Sequence, residues 1–583
     1  MTKKGYSVRA AGFIGRVGGL AVALGVGAAA FGGATAWADG TDSGGSSAHA
    51  GSARSGSSQA TAGPAKHSAP KAASGRSRPA STVRAQSITS VPAATATPTA
   101  QSDPSVPQTP PADSPLELAA LAYSRRDTGI SARPAAATSL APEALVQASA
   151  AQNTAVIMGP SGVPIPKPSY ISSVFNLYIA PSYPGSIPFQ LDTPEGLYPI
   201  TGVKSLPLNV SVQQGIQILA ASIAEQVAAG NTATVFGYSQ SAIISSLIMS
   251  QLPPGTPVDF VLVGNEMNPN GGMLSRFPGL NLPSLGLPFY GATPENAFPT
   301  TNYTLEYDGF ADFPRYPLNV LSVLNAGLGI IFVHTKYADL TSQQVNSAIA
   351  LPTTDPTQKY YIIPTADLPL LEPLRLLPVI GTPVADLLQP ALKVIVNLGY
   401  GDPQYGWSTN GFANQQTTFG FIPDVDWGQV ANLFVAGIGQ GLHAFAADVS
   451  PGGVMWQELA ALKPPTLGPA PVLPTPAGVI ATLQTVITDI AYTISNSAAA
   501  LYAAALPTAD IANAIVTMLP AYGITLFLDG IQQALSGDVI NGLVNAIGLP
   551  IAAATGLVTT AGLIEVLVLI QAVQGILGQE TNV

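Results

Sequence analysis

The fold is decided by one stretch, Thr232-Ala-Thr-Val-Phe-Gly-Tyr-Ser-Gln-Ser-Ala-Ile-Ile-Ser-Ser-Leu-Ile-Met249. A β-branched run leads into Gly237-Tyr-Ser-Gln-Ser241 and then into apolar residues at helical spacing, which predicts a strand, a sharp turn and a helix. A serine at the apex of such a turn has its hydroxyl lifted off the sheet edge, above the N-terminus of the following helix. Ser241 is small enough to stand where the usual signature has a second glycine. The stretch therefore predicts a nucleophile elbow with Ser239 as the nucleophile.

Strand and helix patterns alternate on both sides of this elbow. Strand-like runs occur at Thr154–Met158, Val258–Gly264 and Tyr303–Tyr307. A helical pattern covers Val212–Ala229. This alternation predicts an α/β fold of the α/β-hydrolase type, in which helices cover a central, mostly parallel sheet. Sites in such sheets form at the carboxyl ends of the strands.

A serine hydroxyl needs an imidazole to take its proton and a carboxylate to orient that imidazole. His334 follows the apolar run Ile330–Val333, which we interpret as a further strand, and is the predicted base. His443 lies in a helix-like stretch and is interpreted as an ordinary surface or core residue. Asp308 and Asp312 are both candidates for the carboxylate, since both follow the strand that ends near Tyr307. The chain order Ser, Asp, His is the order found in α/β-hydrolases.

An oxyanion needs N–H or O–H donors. The backbone N–H of Gln240, directly after the nucleophile, is one candidate donor. The loop that begins at Gly159 is the predicted source of the second, through a backbone N–H or the Ser161 hydroxyl. Pro160 contributes no donor.

Composition excludes several classes of function. The chain has 583 residues, of which 47% are hydrophobic and 9% charged, and a net charge of -10. An acidic chain of this kind argues against nucleic-acid binding. It contains no cysteine and four histidines, which excludes thiolate catalysis, disulfides and cysteine metal sites. We expect no metal and no cofactor.

The N-terminus has the pattern of a secretory signal. Lys3, Lys4 and Arg9 precede an apolar stretch from about Leu20 to Phe31, and Ala36-Trp-Ala38 offers small residues for cleavage. Residues 1–38 are therefore predicted to be a signal peptide, and the protein is expected to be exported, either secreted or associated with the cell envelope. The alternative is an uncleaved membrane anchor, which Arg16 disfavours because it shortens the apolar stretch.

Four further segments follow. Residues 39–113 are rich in Ser, Ala, Gly, Pro and Thr without apolar periodicity, which predicts a disordered linker. Residues 114–150 are predicted to hold a short helix, at Leu116–Arg126, and a joint. Residues 151–425 form the predicted hydrolase domain, and residues 426–583 form an acidic, apolar, helical C-terminal region.

The C-terminal region has no lysine or arginine beyond Lys463. Its helical patterns favour helices that pack on each other or on the hydrolase and form a lid or an acyl-binding surface. The alternative is a membrane-binding or lipid-binding region around Ile551 to Leu577. Glu565 interrupts that run, and flanking cations that would orient it are absent from the sequence.

Several motifs follow one another along the predicted hydrolase domain. They are Met158-Gly-Pro-Ser-Gly-Val-Pro164, Gly237-Tyr-Ser-Gln-Ser-Ala242, Gly264-Asn265 with Pro269-Asn-Gly-Gly272, Tyr307-Asp-Gly-Phe-Ala-Asp-Phe-Pro314, Val333-His-Thr-Lys-Tyr337 and Asn397-Leu-Gly-Tyr-Gly-Asp402. Together, over about Ala151 to Val425, they resemble a known family, the PE-PPE domain of mycobacterial proteins.

The resemblance implies a serine α/β-hydrolase related to cutinases, whose Gly-Tyr-Ser-Gln-Gly elbow this chain matches up to Gln240. It implies esterase activity on acyl esters, or acyl transfer among envelope glycolipids such as acylated trehaloses. A non-catalytic, lipid-binding envelope protein is the third hypothesis, and peripheral contact with envelope lipid is compatible with all three. A signal peptide stands where the family has a PE or PPE helical module, which favours the general secretory route.

Overall fold

The computed structural model describes residues 151–295, 297–462 and 476–576. The predicted signal peptide at 1–38, the linker at 39–113 and the short helix and joint at 114–150 lie outside these described residues.

A seven-stranded sheet forms the centre of the fold. The strands of the described residues are β1 Asn153–Ile157, β2 Ile187–Gln190, β3 Thr232–Tyr238, β4 Val258–Val263, β5 Asn281–Leu282, β6 Leu287–Pro288, β7 Thr300–Leu305, β8 Ile349–Leu351 and β9 Gln358–Ile363. Strands β5 and β6 form a separate two-stranded sheet, and the other seven lie in the order β2-β1-β3-β4-β7-β9-β8. All neighbouring pairs of the large sheet are parallel except the edge pair β8 and β9, which is antiparallel. The predicted mostly parallel sheet is thereby confirmed.

Helices cover the sheet and continue beyond it. They are α1 Pro168–Val174, α2 Leu208–Ala228, α3 Gln240–Met249, α4 Met273–Arg276, α5 Val320–Phe332, α6 Ser342–Asn346, α7 Glu372–Arg375, α8 Gly381–Leu398, α9 Trp427–Val449, α10 Val454–Ala461, α11 Pro476–Asn513, α12 Leu519–Leu535 and α13 Val539–Ile576. Two π-helical turns, Phe175–Ile179 and Ala514–Met518, extend α1 and join α11 to α12.

Strands β1, β3 and β4 are nearly continuous apolar runs because both of their faces are buried. Their register pairs Tyr238 at the end of β3 with Val263 at the end of β4. The residues that follow these two strands, Ser239 and Gly264, therefore emerge side by side at the carboxyl edge of the sheet.

The interpretation of Ile330–Val333 as a strand is wrong. These residues are the end of helix α5 and the residue after it. Asn319 begins the helix, since its side chain accepts a hydrogen bond from the Ser322 N–H. A short apolar run with both faces buried does not distinguish a strand from a buried helix, and the N-cap eleven residues upstream of Ile330 was the missed signal.

The C-terminal region consists of long helices, as predicted, and α13 packs on both α11 and α12. It also packs on the domain built around the sheet, because Leu563 of α13 contacts the cluster formed by Leu328 and Phe332 of α5. Among the described residues, four helical segments are by length and composition alone apolar enough to cross a membrane, at Val320–Asp339, Trp427–Val449, Ile480–Leu535 and Val539–Ile576. Most of the first segment is buried within the protein.

Candidate active site

Ser239 lies in the tight turn between β3 and α3, with a φ of 58° and a ψ of -123°. A non-glycine residue in this region is strained, and the strain persists only where the surrounding structure enforces it. Gly237 is required here because a Cβ on it would lie 2.6 Å from the Ser241 carbonyl oxygen. The Ser241 hydroxyl accepts from the Tyr238 N–H at 2.8 Å and donates to the Tyr238 carbonyl at 3.0 Å. Ser241 thus closes the turn that the sequence predicted.

A continuous hydrogen-bonded relay joins Ser239, His334 and Asp308. His334 Nε2 lies 2.9 Å from Ser239 Oγ, and His334 Nδ1 lies 2.8 Å from Asp308 Oδ2 and 2.9 Å from Asp308 Oδ1. The exposed fractions are 2% for Ser239, 6% for His334 and 0% for Asp308. With the Nδ1 proton donated to the carboxylate, Nε2 is left free to accept the serine proton.

Other donors fix the Asp308 carboxylate. Tyr337 donates its hydroxyl to Oδ2 at 2.7 Å, while the N–H groups of Phe310 and Ala311 donate to Oδ1 at 3.0 and 3.3 Å. Asp308 is therefore held as a fixed acceptor facing the imidazole.

Asp312, the other carboxylate candidate, is directed elsewhere. Its Oδ2 accepts from the Tyr307 N–H at 3.0 Å. Burial raises the pKa of Asp312 well above its usual value, although the Tyr307 hydrogen bond and the nearby Arg276 guanidinium oppose that rise. Of the two candidates, only Asp308 is hydrogen-bonded to His334, and Asp312 braces the loop that follows β7.

His334 begins a 3-10 turn, His334–Asp339, directly after α5. Its carbonyl accepts the Tyr238 hydroxyl, and its ring lies 4.9 Å from that of Phe310, edge to face. Gly264, at a φ of +58°, is the residue beside the imidazole, and a Cβ there would lie 3.0 Å from His334 Cε1. A glycine is therefore required at the end of β4 for the imidazole to reach Ser239.

Two opposing effects set the pKa of His334. Burial alone would lower it, but the Asp308 carboxylate and its hydrogen bond, together with Glu266, outweigh burial and raise the pKa above the usual histidine value. The imidazole must be neutral to act as a base. Its basic form consequently predominates only above the pKa of free histidine.

Two further carboxyl groups lie near the elbow. Glu266 Oε1 accepts the Ser239 hydroxyl at 3.3 Å, and burial raises the Glu266 pKa to about 7. Burial also raises the pKa of Glu195 to about 8, while its hydrogen bond from Thr193 and the charge of Glu266 act in opposite directions on it. Both groups take up protons near neutral pH, because water is excluded around them.

The candidate oxyanion donors surround the start of α3. Gln240 is the first residue of that helix, so its N–H is among those without an acceptor inside the helix. The Gln240 side chain is held by two serines, accepting from Ser161 Oγ at 3.2 Å and donating to Ser211 Oγ at 2.5 Å. The loop from Gly159 to Ser161 therefore does lie against the elbow. The roles of Gln240, Ser161 and Gly159 as donors stay predictions.

Sequence reasoning missed Glu266, Tyr337 and Ser211. Glu266 could have been found, because it follows Gly264 at the carboxyl end of β4, the strand adjacent to the elbow strand. Tyr337 ends the motif Val333-His-Thr-Lys-Tyr337, but nothing in the sequence assigned a role to its hydroxyl. His443 lies exposed on α9 and has no part in the relay.

The chain is similar to a family of mycobacterial proteins. The model of the PE-PPE domain family matches residues 184–401. The chain is 50% identical over 437 residues to the PPE family protein PPE28 of Mycobacterium tuberculosis. The aligned region covers 73% of this chain and 66% of that protein. It is 47% identical over 262 residues to Esterase PE16 of the same organism, and here the aligned region covers 43% of this chain and 49% of that protein.

A weaker similarity extends to an acyltransferase. The chain is 28% identical over 230 residues to the SL1278 acyltransferase Chp1 of Mycobacterium tuberculosis. The aligned region covers 38% of this chain and 53% of that protein. The chain thus spans between about half and two thirds of the length of these three relatives.

Proposed function

We propose that this chain, which belongs to the PE-PPE domain family and matches its model at residues 184–401, is a serine esterase that hydrolyses acyl esters. The observation that carries the proposal is the unbroken relay from Asp308 through His334 to the hydroxyl of Ser239, with both linking distances at 2.9 Å or less. The similarity to Esterase PE16 supports it.

The reaction begins when Ser239 Oγ attacks the ester carbonyl while His334 Nε2 takes the hydroxyl proton. Asp308 holds the imidazole in the tautomer that can accept this proton and stabilises the imidazolium that forms. The Gln240 N–H, with a donor from the loop containing Ser161, binds the developing oxyanion. His334 then returns the proton to the leaving alcohol, and an acyl group remains on Ser239.

Hydrolysis completes the cycle. His334 removes a proton from a water molecule as its oxygen attacks the acyl-enzyme carbonyl. The tetrahedral intermediate then breaks the bond to Ser239 Oγ and releases the free acid, while His334 returns the proton to Ser239 Oγ. This chemistry requires no metal or cofactor at any step.

A second candidate function is acyl transfer, in which a sugar hydroxyl replaces water as the second nucleophile. The similarity to the acyltransferase Chp1 favours this candidate. The two functions share the acyl-enzyme and differ only in the acceptor. Appearance of acylated product on added trehalose or trehalose glycolipid distinguishes transfer from hydrolysis.

Export to the cell envelope belongs to the same proposal. It rests on the sequence of residues 1–38, which lie outside the described residues. Exposed apolar side chains on the C-terminal helices, such as Ile487 of α11 and Ile540 of α13, support peripheral contact with envelope lipid.

The test is hydrolysis of p-nitrophenyl butyrate by the purified full chain and by Ser239→Ala. We expect saturable hydrolysis by the wild type and a fall of at least about 10⁴-fold in the variant, because removing a triad nucleophile leaves only binding and oxyanion stabilisation. Equal rates for the two folded proteins would reject the proposal. A folded wild type that hydrolyses nothing and acylates no trehalose acceptor would leave the lipid-binding hypothesis.

A further inference from the structure

The helical C-terminal region encloses an apolar cavity against the hydrolase domain. The cavity has a volume of about 90 Å³. A single water needs about 10–15 Å³, so the cavity has room for several methylene groups. Met273, Phe277 and Phe313 line it from the hydrolase side. Ile515 and Ala561, from the π-helical turn after α11 and from α13, line it from the other side.

Two of the lining residues also contact the catalytic relay. Glu266 lines the cavity and accepts the Ser239 hydroxyl at 3.3 Å. Phe310 lines the cavity and packs its ring edge to face on the His334 imidazole. The cavity therefore begins next to the atoms that would carry an acyl group.

The C-terminal wall of the cavity is anchored by specific contacts. Tyr198, itself a lining residue, donates its hydroxyl to Asp510 Oδ2 at 2.7 Å, and Ser284 Oγ donates to the Asp510 carbonyl at 2.8 Å. These bonds fix the end of α11 to the hydrolase. Leu563 of α13 packs against α5 next to the lining residue Ile564. The wall is thus part of the folded enzyme and has a defined position relative to Ser239.

We infer that this cavity binds the apolar acyl chain of the ester, and that the C-terminal helices set the length of chain the enzyme accepts. The inference rests on the proposed function, and it assigns the acyl half of the substrate to the cavity. A sugar or other polar alcohol would leave its hydroxyl groups unpaired among these side chains, whereas an alkyl chain gains from leaving water. Glu266 and Phe310, at the end nearest Ser239, mark where the chain enters.

The inference predicts opposite effects from filling and from enlarging the cavity. Ala561→Phe inserts a ring into the cavity, and its matched control is Ala554→Phe on an exposed position of the same helix. Ile515→Ala enlarges the cavity, and its matched control is Val516→Ala, where the side chain is 72% exposed.

The experiment measures kcat/KM of the full chain for p-nitrophenyl acetate, butyrate, octanoate and dodecanoate. In Ala561→Phe the ratio of octanoate to acetate should fall about tenfold relative to wild type, which corresponds to exclusion of roughly two methylene groups. In Ile515→Ala the preferred chain should become longer. The two controls should keep the wild-type profile. Identical chain-length profiles in all five proteins would overturn the inference.

A binding measurement in the Ser239→Ala background separates this inference from the proposed function. A fluorescent fatty acid should bind Ser239→Ala and be displaced by dodecanoic acid. Its affinity should fall about tenfold when Ala561→Phe is added and stay unchanged when Ala554→Phe is added. Equal affinity in the two double variants, with a higher melting temperature for the Ala561→Phe protein, would identify the cavity as a simple packing void. No ester hydrolysis by the wild type, together with fatty-acid binding that Ala561→Phe weakens in the Ser239→Ala background, would reject the proposed function and leave this inference standing.

Discussion

Glu266 Oε1 lies 3.3 Å from Ser239 Oγ, so the serine hydroxyl has two acceptors within reach, this carboxylate and His334 Nε2 at 2.9 Å. The negative charge of Glu266 also raises the pKa of His334, although less than Asp308 does. Glu266 is therefore coupled both to the nucleophile and to its base.

Glu266→Gln should shift the acidic limb of the pH profile of kcat/KM to lower pH. Removing the carboxylate lowers the His334 pKa, so the imidazole becomes neutral, and hence basic, at a lower pH. We expect the midpoint to fall by less than loss of the Asp308 charge would cause, because Glu266 raises the His334 pKa less than Asp308 does and is itself partly protonated near pH 7. The measurement is kcat/KM for p-nitrophenyl butyrate between pH 5 and 9.

The control for this profile is Asp312→Asn, because Asp312 is buried nearby but is directed to the Tyr307 N–H and the Arg276 guanidinium and away from His334. Its acidic limb should coincide with that of the wild type. An unchanged midpoint in Glu266→Gln, or an equal shift in both variants, would contradict the coupling between Glu266 and His334.

The two candidate carboxylates should respond very differently to conversion to asparagine. Asp308→Asn should lower kcat by about 10⁴-fold, because an amide cannot hold the imidazole in the tautomer that accepts the serine proton. Asp312→Asn should change kcat by less than about tenfold, since its amide oxygen can still accept from the Tyr307 N–H. Single-turnover and steady-state rates of both variants, with circular dichroism to check folding, show which carboxylate orients His334. A larger loss in Asp312→Asn than in Asp308→Asn would reverse the assignment.

Tyr337→Phe tests whether the orientation of Asp308 matters to the reaction. The change removes the hydroxyl that donates to Asp308 Oδ2 at 2.7 Å. A hydrogen bond to a charged group contributes about 1.5–3 kcal/mol, so kcat should fall by about ten- to a hundredfold.

The pH profile of this variant separates positioning from a structural role. Without the Tyr337 donor the Asp308 carboxylate interacts more strongly with the imidazolium, so the acidic limb should move to higher pH. A fall in melting temperature with an unchanged kcat and an unchanged acidic limb would show that Tyr337 acts only in packing.

The sequence predicted a site residue's position where that residue stands next to a recognisable strand, turn or helix pattern. The elbow at Gly237–Ser241 combines strand, turn and helix signals in a few residues, so both the fold class and the position of Ser239 could be predicted. Asp308 and His334 could be named as candidates because each follows an apolar run, although the run before His334 is a helix. His334 is nevertheless at the site, since the end of α5 returns to the carboxyl edge of the sheet.

Contacts between distant parts of the chain could not be predicted. The choice between Asp308 and Asp312 depends on how the loop after β7 folds, and four residues of spacing place both within reach of a histidine. The contact between Glu266 and Ser239 depends on the register of β3 against β4. The cavity is lined by Glu266 and also by Ile515 and Ala561, which follow Glu266 by more than two hundred residues in the sequence. Helical periodicity alone does not say which face of a helix contacts which other element.

The most direct test of the central claim, that Ser239 is a nucleophile activated by His334, is labelling of the folded full chain with a fluorophosphonate, followed by intact mass and peptide mapping. The account predicts one adduct per chain, located on Ser239, no adduct in Ser239→Ala, and labelling slowed by at least about 10³-fold in His334→Ala. A folded wild type that stays unlabelled, or an adduct formed as fast in Ser239→Ala as in the wild type, would contradict it.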